Sequence, residues 1–179
     1  INELLTFSKI EMKQMRISVR KGDIMHFLEE LSHIFDIVAG EREIDFIVNL
    51  EDTEEEVWFS PSKLERILYN LLSNAFKYTQ PGGYVKLSAK LIKEEKETFV
   101  QISVKDNGRG IPKEAQEQIF ESYYQVEKRD HREGFGLGLS LTRSLIHMHK
   151  GEIRVESEIN KGSDFIVTLN VSEDARSEE

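Results

Sequence analysis

Asn70, Asn74 and Lys77 are the residues whose type and spacing first suggest chemistry. At about 100° per residue the three fall within roughly 40° of one another on one stripe of a helix. A carboxamide oxygen can ligate a hard cation such as magnesium without adding charge, and an ammonium group is a point charge for a phosphate. The same stripe also fits two amides that flank a buried face and bond to loops. Asp106 carries a similar ambiguity, standing before Asn107-Gly108-Arg109-Gly110 at the end of an alternating run. There a carboxylate can face a purine amino group while glycine backbones approach a flat ring, or the segment can simply turn. Gly134, Gly136 and Gly138 offer three positions without Cβ at the opening of a helix, where free N–H groups and the dipole favour phosphate oxygens. No Gly-Lys-Ser/Thr follows them, and their spacing is too short for a dinucleotide fingerprint.

These residues need elements to hold them. Leu64, Ile67, Leu68, Leu71, Leu72 and Ala75 recur at helical spacing, so the asparagine helix lays one apolar face on a sheet. Ser60-Pro61 reads as its N-cap and first residue, and Thr79-Gln80-Pro81-Gly82-Gly83 stops it. Upstream, Ile17 to Arg20 alternates like a short strand. Asp23 then caps a helix over about residues 24 to 41 with Ile24, Phe27, Leu28, Leu31, Ile34, Phe35 and Val38 on one side. Ile44, Phe46, Val48 and Leu50 share one face of a strand. Val85 to Leu91 and Val100 to Val104 alternate as an antiparallel pair around the charged turn Lys93 to Glu97. A short helix ends at Phe120, and Leu141, Leu145, Ile146 and Met148 mark a further helix. Glu152 to Glu158 and Asp164 to Val171 are the last strands. Residues 1 to about 15 have an imperfect amphipathic pattern that pairs elsewhere, and 172 to 179 are a polar tail.

Composition narrows the function. With 39% hydrophobic and 32% charged residues, 179 residues suffice for one substantial core. The 33 acidic residues outnumber the 24 basic ones, and a formal charge of -9 argues against a nucleic-acid surface, which needs a basic face. No cysteine is present, so disulfides and thiolate zinc sites are excluded. No run of about 18 apolar residues occurs, and no membrane contact is expected of this segment. The start at Ile1-Asn2-Glu3, in mid-helix pattern, reads as part of a longer protein.

The order of the pieces is more specific than any one of them. A helix bearing Asn70 and Asn74, a strand ending in Asp106-x-Gly108-x-Gly110, an aromatic stretch at Phe120 and a triple glycine before a helix resemble the nucleotide-binding boxes of the sensor histidine kinase ATP-binding domain. The resemblance implies an α+β, two-layer sandwich, a mixed and mainly antiparallel sheet covered on one face by about three helices, shared with gyrase, mismatch-repair ATPases and the ninety-kilodalton heat-shock chaperones. It divides the chain into the end of a dimerisation helix with its linker (1–21), a catalytic ATP-binding domain (22–171) and the tail. It implies ATP and Mg²⁺ as ligands, with Asn74 on the metal and Asn70 assisting. Lys77 and Tyr78 would face phosphate and sugar, and Asp106 the adenine amino group. Gly108, Gly110 and Ile111 would shape the ring's slot, with Ser163 near its floor. Phe120, Tyr123 and Tyr124 would form an aromatic box under a lid over Gln125 to Glu133, from which Arg129 or Arg132 can reach the terminal phosphate. Gly134, Gly136, Leu137, Gly138 and Leu139 would close over the phosphates. One departure is Asn160-Lys161-Gly162, where the family often has Gly-x-Gly; asparagine tolerates the left-handed conformation.

In the gyrase and chaperone branches a glutamate one turn before the magnesium asparagine activates water. Here that place holds Asn70, which cannot accept a proton, so transfer of the γ-phosphoryl group to an external acceptor is favoured over hydrolysis. The acceptor implied is a histidine on a preceding two-helix dimerisation module, whose end Leu4-Leu5-Thr6-Phe7-Ser8-Lys9-Ile10-Glu11 resembles. None of the five histidines here has the acceptor context. The further partners implied are a response regulator receiver domain and a second copy of the parent, a cytoplasmic domain on a membrane-anchored sensor. The alternatives are an anti-sigma-factor-type serine kinase on the same fold and a nucleotide-gated interaction domain without catalysis.

Overall fold

The computed structural model describes residues 18–122, 124 and 137–173. A short strand β1 (Arg20–Asp23) leads into helix α1 (Ile24–Arg42), then β2 (Asp45–Leu50), β3 (Glu56–Phe59) and helix α2 (Pro61–Tyr78). The long hairpin β4 (Tyr84–Glu94) and β5 (Glu97–Asp106) follows, then two 3₁₀ turns (Lys113–Ala115 and Gln118–Phe120). Helix α3 (Gly138–Met148) and the hairpin β6 (Glu152–Glu158) and β7 (Gly162–Asn170) close the chain. The main sheet has the order β2-β4-β5-β7-β6. Its β2–β4 pair is parallel and every other pair antiparallel, which agrees with the mixed sandwich expected.

Strand periodicity decides what lies inside. Val85, Leu87 and Ala89 of β4, Val100, Ile102 and Val104 of β5, and Phe165, Val167 and Leu169 of β7 are buried against Leu64, Ile67, Leu68, Leu71, Leu72 and Ala75 of α2 and the apolar faces of α1 and α3. Each fully buried leucine or valine contributes about 1.5 to 3 kcal/mol over its exposed state. Alternate positions such as Lys86, Ser88, Gln101 and Lys105 are half-buried or exposed on the other face. At the end of α1 Arg42 donates to the Phe76 carbonyl at 2.7 Å, which ties α1 to the last turn of α2 and satisfies an acceptor the helix leaves free.

Asp23 caps α1 as expected, accepting from the His26 N–H at 2.9 Å. Four other expectations are corrected. The first strand runs over Arg20–Asp23, because it pairs with Val57, Trp58 and Phe59 in a separate two-stranded sheet. Ile34 is not part of the packing face: it is 56% exposed, and Met25, Ser32 and Ala39 are buried on that helix. Val48 is 38% exposed, because β2 is an edge strand with only β4 beside it. Ser60 stands at the N-cap of α2 and Pro61 begins the helix, as expected, although the Ser60 hydroxyl makes no cap bond and is buried without a partner among the described residues. The start of α2 rests on the Ser60 carbonyl, which accepts from Leu64 N–H at 2.9 Å, and on Pro61. The short helix to Phe120 is two 3₁₀ turns.

Candidate functional site

Asp106 is the last residue of β5, a central strand, and is in register with Val85 on one side and Ser163 on the other. Its carboxylate is buried, 5% exposed, and accepts from the Gly108 N–H at 2.8 Å. Burial pushes its pKa up, with the neighbouring Asp164 adding to the rise, while the N–H groups of Gly108 and Ser163 pull the other way. One oxygen closes the turn, as the turn reading expects, and a carboxylate has lone pairs for a further donor.

The loop after Asp106 is sewn to the β6–β7 hairpin. Asn160 N–H donates to the Arg109 carbonyl at 2.8 Å, and Ile111 N–H donates to the Ser157 hydroxyl at 2.8 Å. The Gln116 amide donates to the carbonyls of Ile111 at 3.0 Å and Ser157 at 2.8 Å. Ser163 is buried, with its hydroxyl 2.9 Å from that of Ser157. The glycines are required by the protein's own backbone. A Cβ at Gly110, where φ is +69°, would meet the Glu158 carbonyl, and one at Gly162, where φ is +99°, would meet the Asp106 carbonyl. Asn160 takes up the left-handed conformation at φ 61°, as its side chain allows.

The stripe on α2 lies beside the start of α3. Asn70, Asn74 and Lys77 are all half-buried. The Asn70 amide donates to the Thr142 hydroxyl of α3 at 2.6 Å. A Cβ at Gly138 would come within 2.6 Å of the Asn70 Oδ1, so the missing side chain leaves the space that the amide fills. The Lys77 ammonium lies 5.0 Å from the centre of the Tyr78 ring, and the Arg109 guanidinium 4.3 Å from it. Tyr78 thus joins the end of α2 to the loop after Asp106.

Leu137 is buried, and Leu139, half-buried, packs against the core. Phe120 stacks edge-on against Phe165 of β7 at 6.4 Å, with the Arg143 guanidinium 6.0 Å from its ring. The expectations for Tyr123, Gln125 to Glu133 with Arg129 and Arg132, Gly134 and Gly136 lie outside the described residues, as does the one for an amphipathic helix over residues 1 to about 15. Sequence reasoning passed over Asn107, Gln116, Thr142 and Ser157. Asn107 had a local signal in its place between Asp106 and Gly108, where asparagine favours turns, although the bond its Oδ1 accepts from the Tyr84 N–H at 2.7 Å spans 23 positions. Thr142, a hydroxyl between the buried Leu141 and Leu145, had another. Gln116 and Ser157 had none, because their partners are set by the pairing of distant strands.

The sequence pattern of the family described as histidine kinase-, DNA gyrase B-, and HSP90-like ATPase matches residues 59–173. The sensor histidine kinase WalK of Bacillus subtilis (strain 168) is 34% identical over 176 residues, which are 97% of this chain and 28% of that protein. The adaptive-response sensory kinase SasA of Synechococcus sp. (strain JA-2-3B'a(2-13)) is 37% identical over 172 residues, covering 96% of this chain and 45% of that protein. The crystal structure of full-length ShkA in complex with AMPPNP superposes with a TM-score of 0.84 at 26% identity, covering 96% of this chain and 35% of that one. The chain spans less than half the length of each.

Proposed function

The chain belongs to the histidine kinase-, DNA gyrase B- and HSP90-like ATPase family, and from that premise we propose that it is the ATP-binding catalytic domain of a sensor histidine kinase, formed by residues 22–171. It passes the γ-phosphoryl group of ATP to a histidine on a dimerisation helix pair that precedes it in the parent, from which a response regulator receives it. The parent is a homodimeric, membrane-anchored sensor with this domain on the cytoplasmic side. Among the described residues no helix is long and apolar enough to cross a membrane.

The observation that carries this reading is the buried Asp106 at the head of the sheet, held by the Gly108 N–H and in register with Ser163. A carboxylate there accepts from the adenine amino group, and the loop's attachment to β6–β7 fixes residues 107–111 before nucleotide arrives, so little ordering entropy is spent on binding. Asn74 and Asn70 fit Mg²⁺ as neutral oxygen donors, since a hard cation between phosphates needs few protein ligands and keeps several waters. When bound, the metal neutralises charge on the phosphate oxygens. Lys77 adds a point charge, and the glycine N–H groups at 134, 136 and 138 add dipoles. The Asn70 amide leaves no general base one turn before Asn74, which supports transfer to a histidine over transfer to water.

The test mixes the chain with [γ-³²P]ATP, Mg²⁺ and a separate acceptor helix pair. Acid-labile, base-stable label on the helix pair is expected, and Asn74→Ala abolishes magnesium-dependent nucleotide binding with the melting temperature unchanged. Tight ATP binding with no label on any acceptor would leave a nucleotide-gated binding domain instead.

A further inference from the structure

Asn70 is gripped from two directions, and only one of them belongs to the glycine motif. Its Nδ2 donates to the Thr142 hydroxyl at 2.6 Å across 72 positions of sequence. Its Oδ1 is the atom nearest to where a Gly138 side chain would begin. Thr142 is one turn into α3 from Gly138, and its side chain is buried, 1% exposed. Asn70 is only half-buried. An amide in that position, released from Thr142, can rotate about its last torsion and exchange oxygen for NH₂ on the Gly138 side. An NH₂ group cannot ligate a cation. The buried hydroxyl is immobile, because α3 is locked to the core by Leu141, Leu145 and Ile146.

We infer that Thr142 is a positioning residue for the metal: by bonding the end of the Asn70 amide it holds that side chain in one rotamer, with the Asn70 oxygen toward the start of α3, where the phosphate-bound Mg²⁺ is to be held. The inference rests on the proposed role of Asn70 and Asn74. It adds that the orientation of the first amide is set from α3, so that α3, which begins at Gly138, is coupled to the metal stripe through one hydrogen bond. Partners behind a metal ligand act by holding its rotamer.

The test titrates TNP-ATP into the chain, once with Mg²⁺ and once with EDTA, and takes the ratio of the two affinities as the magnesium increment. Thr142→Val keeps the shape and removes the hydroxyl, and the increment is expected to fall about tenfold. The EDTA affinity and the melting temperature stay near the parent's, and Thr142→Ser restores the increment. The side-chain ¹H–¹⁵N signals of Asn70 shift in Thr142→Val before any metal is added. Should the valine variant fail to fold, Thr142→Ala removes the same hydroxyl and is read in the same way. A full increment in the Thr142 variants with a lost one in Asn70→Ala overturns the inference and spares the reading beneath it. A full increment in Asn70→Ala and Asn74→Ala overturns both. An equal loss with Mg²⁺ and with EDTA makes Thr142 a brace of the fold and overturns the positioning role.

Discussion

The two flanks of the molecule are built to different standards. At the head of β5, residues 106–111 are fixed by bonds from Gln116, Ser157 and Asn160, and two glycines there lie where a Cβ would strike a carbonyl. At the β2 flank, α1 and the edge strand leave Ile34, Ile37, Ile47 and Val48 between 38% and 70% exposed. An over-determined backbone is useful where a ligand must meet preset geometry, and an edge strand that only covers the core can be loose. Their tolerance to substitution should differ accordingly.

Gly162→Ala should strike hardest, since it places a Cβ on the Asp106 carbonyl at a positive φ. A stability loss on the order of 3 kcal/mol in denaturant titration is expected, and a loss near zero would mean that the head of β5 is not fixed by that hairpin. Asp106→Asn sharpens the comparison differently. Adenine selectivity, measured as ATP against GTP affinity, should fall by about 1 to 3 kcal/mol, the scale of a charge-assisted hydrogen bond. Stability should not fall with it. The folded pKa of Asp106 is raised, so the folded state holds its proton more tightly than the unfolded state does. Stability therefore falls as pH rises from the ordinary carboxylate value to the raised one, and above it the buried charge is a constant cost. The asparagine variant should flatten the pH profile in that window and be at least as stable near neutrality. Ile37→Ser, at a side chain that is 70% exposed, should change stability by no more than about 0.5 kcal/mol; a larger loss would remove the contrast between the flanks.

Much of this was readable before any coordinates. The apolar face of α2 emerged except for the buried Phe76, because burial on a helix follows a period of 3.6 and all six leucine, isoleucine and alanine positions obey it. The strands of the long hairpin were readable for the corresponding reason. The β1–β3 ribbon was not, since four residues carry too little periodicity to announce a strand and their pairing is long-range. Ile34 and Val48 were misplaced because an apolar residue on an edge element can remain in solvent without penalty to the fold.

Residue types and local spacing alone settled that two carboxamides and a lysine share a helical stripe, and that an aspartate ends a strand beside glycines, since these follow from the pitch of a helix and the alternation of a strand. What they face was decided only by the packing of distant segments. The Thr142 hydroxyl meets Asn70 because α2 and α3 lie side by side on the sheet, and Ser157 and Gln116 hold the loop after Asp106 because β7 pairs with both β5 and β6. Contacts between residues so far apart have no local signature, for a side chain's neighbours across the core depend on the whole fold and not on the residues beside it in the chain.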